Sequence, residues 1–381
     1  MRLSVALLCL FFWVGSLLAQ QPSPSPELLR LNQEYTAKYQ AGQLPEALTL
    51  IDKMLASPDL ASLPNARPGL LFNRACLQSL LGEKTQAIAS LRLALDAGYT
   101  RYSSYATDSD LDPLRTDPEF KTLIAEIKEK WGPKALEWDA SEPGFEFRLQ
   151  FDSPDIHDLA LLRTEFSVDP VVAGAGDDYE KLIRLTKWTS EQWQHDSSHM
   201  ASKNDPLTIL REAKAGGRFI CQNYAVVAAG VTRAYGLYSR LLGLLPKDVE
   251  TRSEAHSVAE VWLPKFKKWV IADGQYGIVP EFRGIPLSGL ELQRAIAEEA
   301  PIECRGNSAK CADWKNFIMP NIFYFKIAQN QHRFGMKTGT AQLVLVPKGA
   351  AKPRKFAGGN EEVFAGSIYT SNPATFYAPP E

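Results

Sequence analysis

The sequence predicts a protein in two parts, an all-α repeat domain followed by an α+β domain. Three observations predict it. Apolar residues recur at helical spacing from Leu28 to Trp131, and a Gly…Ala signature occurs twice within that stretch. Trp131-Gly132-Pro133 then breaks the pattern, and strand-like alternation begins at Phe145. Farther on, a cysteine opens an apolar, small-sided helix, and two alternating segments after it carry a histidine and an aspartate.

The 381 residues suffice for two ordinary domains, and 45% hydrophobic with 23% charged residues is a globular composition. A net charge of -2 argues against a nucleic-acid partner or a basic membrane-binding face. The chain opens with Arg2, an apolar run from Leu3 and a small residue at Ala19, the pattern of a secretory signal peptide over residues 1–19. Leu17 stands where a small residue is usual at the cleavage site, so an uncleaved anchor is the alternative. With cleavage the body is exported (periplasmic, cell-envelope or extracellular) and has no stable membrane insertion. Residues 20–26, QQPSPSP, read as an extended linker.

Residues 27–132 read as helices. Leu28, Leu31, Tyr35 and Tyr39 lie on one stripe that Gly42 ends; Ala47, Leu48, Ile51 and Leu55 lie on the next. GQLPEAL from Gly42 is echoed by GEKTQAI from Gly82, with Ala47 answered by Ala87. The pattern resembles the tetratricopeptide repeat, whose period is about 34 residues; generic helix pairs are the alternative. Such arrays offer a surface for a protein partner. Cys76 falls on an apolar face, as a core thiol does. Asp108, Asp110, Asp112 and Asp117 lack the glycine and glutamate of a calcium loop and read as caps and turns, with Asp117 capping a helix that starts at Pro118.

After the boundary, FEFRLQF (145–151) reads as a strand, and helices are expected near 156–166, 178–194 and 206–213, the last capped by Asp205. Cys221 follows Gly216 and Gly217 and precedes AVVAAG, so it falls in the first turn of a helix that Gly236 ends. Unpaired N–H groups and the helix dipole there favour thiolate and can hold an oxyanion. HSVAEVWLP and KKWVIAD then read as a hairpin. With a four-residue loop at 263–266, Trp262 opposes Lys267 and His256 opposes Asp273 on one face. A one-residue slip would part them. So placed, Asp273 orients the imidazole and His256 takes the thiol proton. His195 and His199 lie in a polar loop, and His332 has no sequence partner. Cys304 and Cys311, which enclose six residues with a Gly-Asn-Ser turn, are expected to form a local disulfide rather than a zinc site. No metal or cofactor is expected. Strands are expected in FYFKIA, AQLVLVP and EVFAGSIYT, extending the sheet or forming an appendage over 301–381.

GRFICQNYA, VTRAYGLYSRLLGL, HSVAEVW and KWVIADG resemble the transglutaminase-like superfamily, most clearly over 178–277 and more loosely from 145 through IPLSGLEL (285–292), within a domain expected over 145–300. The resemblance implies a papain-like α+β fold with Cys221 as nucleophile, His256 as general base and acid, and Asp273 as orienter. It also implies a peptide or protein substrate. Trp188 and Trp193 read as core aromatics, since neither matches the tryptophan that holds the oxyanion in some members. The expected function is exported, cysteine-dependent acyl transfer on amide bonds. Protease or amidase action is favoured over transglutaminase cross-linking. The alternative is a non-catalytic module that binds peptides or proteins through its helical repeats.

Overall fold

A computed structural model describes residues 24–63, 66–335, 341–357 and 361–381. The expected signal peptide and residues 20–23 of the expected linker lie outside the described residues. No helix among the described residues is long and apolar enough to cross a membrane. The chain divides into two compact units, Met1–Gly132 and Pro133–Glu381.

The first unit is helical: α1 (Pro26–Gln40), α2 (Leu44–Ala56), α3 (Ala66–Leu80), α4 (Lys84–Asp96), α5 (Tyr102–Thr107) and α6 (Pro118–Trp131). Helix therefore begins within the expected linker, with Ser25 as its cap. The Gly…Ala signature has the same cause in both places. Gly42 and Gly82 take φ of 71° and 81°, where a side chain is disfavoured. The N–H after each glycine bonds back to Lys38 or Gln78, closing a Schellman-type end. Ala47 and Ala87 are then fully buried, so α2 packs on α1 and α4 on α3. Asp108 and Asp117 cap helical turns, and Cys76 is buried.

The second unit wraps helices around a sheet. Its elements are α7 (His157–Glu165), α8 (Asp169–Val172), α9 (Asp178–Ser190), α10 (Pro206–Lys214), α11 (Cys221–Arg233), β1 (Ser239–Leu245), β2 (His256–Leu263), β3 (Lys268–Ala272), β4 (Ile278–Phe282) and β5 (Ile285–Pro286). There follow α12 (Gly289–Ala297), β6 (Glu303–Gly306), α13 (Cys311–Ile318), β7 (Tyr324–Ala328), β8 (Gln342–Leu345), β9 (Ser367–Thr370) and α14 (Pro373–Phe376). The six-stranded sheet runs β3-β2-β1-β7-β8-β9, antiparallel except for β8 and β9. A second sheet runs β5-β4-β6. The tail strands thus extend the sheet that bears the hairpin, because β7 pairs directly with β1.

Alternation sorts the sheet faces. Ala259, Val261, Val270 and Ala272 meet Ala228 and Ala229 of α11. Leu242, Leu244, Val258 and Ile271 join Leu292 of α12 and Trp314 and Ile318 of α13 in a separate core. One expected strand is absent. FEFRLQF forms no strand; only Gln150 makes a bridge, to Asn330. Phe147 and Leu149 instead pack against the second core, so burial rather than a ladder explains their alternation.

Candidate active site

Cys221 is the first residue of α11, and the chain reaches it along a constrained path. Gly216 takes φ of 99° after α10. A Cβ on Gly217 would stand 2.5 Å from the Phe219 ring and 2.8 Å from the Glu212 carbonyl oxygen. Phe219 and Ile220 are then held by backbone bonds to the 195–199 loop: Asp196 N–H donates to Phe219 and Ile220 N–H to His199. Ile220 is extended and Cys221 helical, so the thiol sits where the first N–H groups of a 13-residue helix point outward. Small residues let α11 lie close to its neighbours. A Cβ on Gly230 would collide with Pro206, and one on Gly274 would stand 2.9 Å from the Tyr224 carbonyl.

The hairpin forms with a register different from the expected one. Trp262 pairs with Trp269 and Leu263 with Lys268, so the four-residue loop is 264–267 instead of 263–266. Phe266 N–H bonds back to Leu263, and Lys267 turns the chain at φ of 51°. Moving both loop ends by one residue shifts each partner by two. His256 is consequently not directly opposite Asp273, but a two-residue shift keeps both on one face. They are diagonal neighbours, a separation that long side chains bridge.

Their side chains meet. His256 Nε2 and Asp273 Oδ2 are 2.8 Å apart, and both residues are buried. Asp273 Oδ2 also accepts from the Trp314 indole N–H at 2.8 Å. Its Oδ1 accepts from the backbone N–H groups of Gln275 and Tyr276 at 3.0 and 3.2 Å. Four donors thus surround one buried carboxylate, which fixes its orientation. Burial alone would lower the basicity of His256. The Asp273 charge and hydrogen bond, with a smaller contribution from Cys221, outweigh it and raise His256 to about 10.

His256 Nδ1 is buried and has no hydrogen-bond partner among the described residues. Cys221, half-buried, is near enough to act on the imidazole by hydrogen bonding and charge, although no bond of standard geometry reaches Nδ1. Nε2 is taken by Asp273, so Nδ1 is the nitrogen left for the thiol. All three residues singled out in the sequence therefore gather at one place. Two that were not singled out join them: Trp314, and Phe317, whose ring stands edge-on to His256 at 4.9 Å. Both lie on α13, in the tail, where no spacing relates them to the histidine. Their signal was an i, i+3 aromatic pair just after the Cys304–Cys311 loop.

Of the other histidines, His195 approaches this centre. Its ring stacks on Tyr224 at 6.4 Å. Surrounding protein, and then the nearby His256, hold it below its ordinary value. His199 pairs with Asp196 at 2.8 Å, and His332 with Asp152 at 3.1 Å. Trp193 stacks on Tyr224 at 4.1 Å and joins a core that Trp188 packs against. Cys304 and Cys311 form the expected disulfide.

Residues 167–274 match the transglutaminase-like superfamily, a span that contains Cys221, His256 and Asp273. The second unit therefore carries a transglutaminase-like domain. The chain is also similar to a crystal structure from Cytophaga hutchinsonii described as a candidate cysteine protease. Identity is 14%, the TM-score is 0.25, and the match spans 34% of this chain and 46% of that one. This chain thus spans less than half the length of that protein.

Proposed function

We propose that this protein is a cysteine-dependent acyl-transfer enzyme acting on amide bonds of peptides or proteins, with Cys221 as nucleophile, His256 as base and acid, and Asp273 as orienter. The observation that carries the reading is the buried His256–Asp273 pair, which leaves Nδ1 unpartnered beside a half-buried cysteine at a helix start. The raised basicity of His256 suits an imidazole that keeps the thiol proton at neutral pH.

In this scheme Cys221 Sγ attacks the substrate carbonyl carbon, and first-turn N–H groups of α11 face the developing oxyanion. His256 passes its Nδ1 proton to the leaving nitrogen as the C–N bond breaks, giving a thioester and a free amine. Water attacking the thioester returns the proton to the site and releases an acid; an amine releases a new amide. Hydrolysis is the favoured outcome because water is abundant. The proposal includes export, supported by the signal-peptide pattern of residues 1–19, and a protein partner on the helical unit, read as tetratricopeptide-like.

The test is alkylation of the purified protein with iodoacetamide, read by mass spectrometry across a pH range. Cys221 is expected to label faster than a free thiol at neutral pH and below. His256→Ala slows labelling on the order of a hundredfold, and Cys221→Ala abolishes it at this position. A wild-type rate that follows an ordinary thiol, indifferent to His256→Ala, would overturn the reading and favour the binding module.

A further inference from the structure

Two of the groups that hold the His–Asp pair come from one short helix outside the matched segment. Helix α13 carries Trp314 and Phe317 on one face. Trp314 is fully buried and has a single side-chain donor, which it directs to Asp273 Oδ2, the same oxygen that meets His256 Nε2. Phe317 stands edge-on to the His256 ring at 4.9 Å and leans on Tyr276 at 5.5 Å. Tyr276 in turn meets His256 edge-on at 6.4 Å, so the imidazole is walled by two aromatic rings.

The helix is tied to the chain just past Asp273. Cys311, its first residue, is bonded to Cys304 on β6. Cys304 pairs with Pro280 on β4, and Ile278 of β4 bridges Asp273 itself. Gly306 takes φ of 92° and lies so close to the Gly277 carbonyl that a Cβ would collide with it. Asn307 N–H bonds to that same carbonyl at 2.9 Å. The turn that aims Asp273 and the loop that launches α13 are therefore one packed unit, closed by the disulfide.

We propose that α13, tethered by Cys304–Cys311, is the positioning element of the site: Trp314 fixes the Asp273 carboxylate and Phe317 fixes the His256 ring. Neither residue touches the reacting atoms. The inference rests on the acyl-transfer reading for its purpose, but its geometry is read independently. A His ring proton bonded to a buried carboxylate gives a far-downfield proton resonance, assignable here by its loss in His256→Ala.

The experiment compares that resonance, and Cys221 alkylation by iodoacetamide, in the wild type, Trp314→Phe and Cys304→Ser/Cys311→Ser. Trp314→Phe keeps a buried ring and removes only the N–H donor. The His256 proton is expected to exchange with water about tenfold faster in both variants, as loss of a bond to a charged group implies. Alkylation is expected to slow by a similar factor. An unchanged resonance and exchange rate in Trp314→Phe overturns the proposal, and that variant decides alone if the double cysteine variant does not fold. If the proton signal moves while wild-type Cys221 alkylates as an ordinary thiol, α13 positions the pair and the acyl-transfer reading falls. If alkylation depends on His256 but neither variant alters the signal, the enzyme reading stands and this inference falls.

Discussion

Asp273 is the residue on which the site turns. It accepts from His256, Trp314 and two backbone N–H groups, all inside the protein. Its charge, more than its size, sets the state of His256. In Asp273→Asn the shape stays nearly the same, but the burial of His256 is opposed only by the weaker influence of Cys221. The His256 midpoint is then expected to fall well below its wild-type value of about 10, as followed by NMR titration of nitrogen-labelled histidine. A midpoint unchanged in the variant would show that Asp273 is not the dominant partner. The sequence named both residues of this pair. It could not name Trp314, because a donor to Asp273 from 41 positions away is created only when the chain returns.

At the level of elements, the hairpin shows why register matters less than parity here. The turn at 264–267 displaced the pairing by two residues, and the pair survived because a strand repeats every second residue. The same sheet face holds a second buried pair nearer the loop. Arg240 on β1 and Glu260 on β2 are directly opposed and 2.6 Å apart, with both side chains essentially inaccessible. The guanidinium lies over the rings of Trp269, Phe376 and Tyr377 and donates to the Phe376 carbonyl. Glu260 also accepts from Gly289 N–H at the start of α12. Removing one partner leaves the other charge buried and unpaired. Arg240→Ala is therefore expected to lower unfolding stability by about 3–5 kcal/mol, measured by urea denaturation; a loss within experimental error would mean that the cluster is not coupled to the fold.

For the whole molecule, the raised basicity of His256 becomes a statement about stability. A group that binds its proton more tightly when folded stabilises the fold fully below its unfolded value of 6.5. That contribution is lost as pH rises through the folded value of about 10. Unfolding midpoints in urea are thus expected to fall between these limits by more in the wild type than in His256→Ala. Equal falls in the two proteins would remove His256 as the cause, since other groups titrating in that range are common to both. The tail belongs to the architecture around the site: β7 lies inside the main sheet, and α13 reaches Asp273 through Trp314.

What the sequence determined by itself was local and periodic. Glycines at 42 and 82 end helices because only a residue without a Cβ takes their backbone angles easily. Cys221 starts a helix because extended Ile220 gives way to a small-sided apolar run. His256 and Asp273 share a face because alternation preserves parity through any even shift. What only the tertiary structure decided was contact between distant segments. FEFRLQF lost its expected strand because apolar alternation also suits a lone segment packed on a core. Trp314 as a partner of Asp273 and Phe317 as a wall of His256 depend on where α13 packs, beside a β6 that pairs with β4 and to which a disulfide ties it. Spacing along a chain carries no record of which buried donor a carboxylate will meet, because that choice depends on packing among elements the sequence does not order in space.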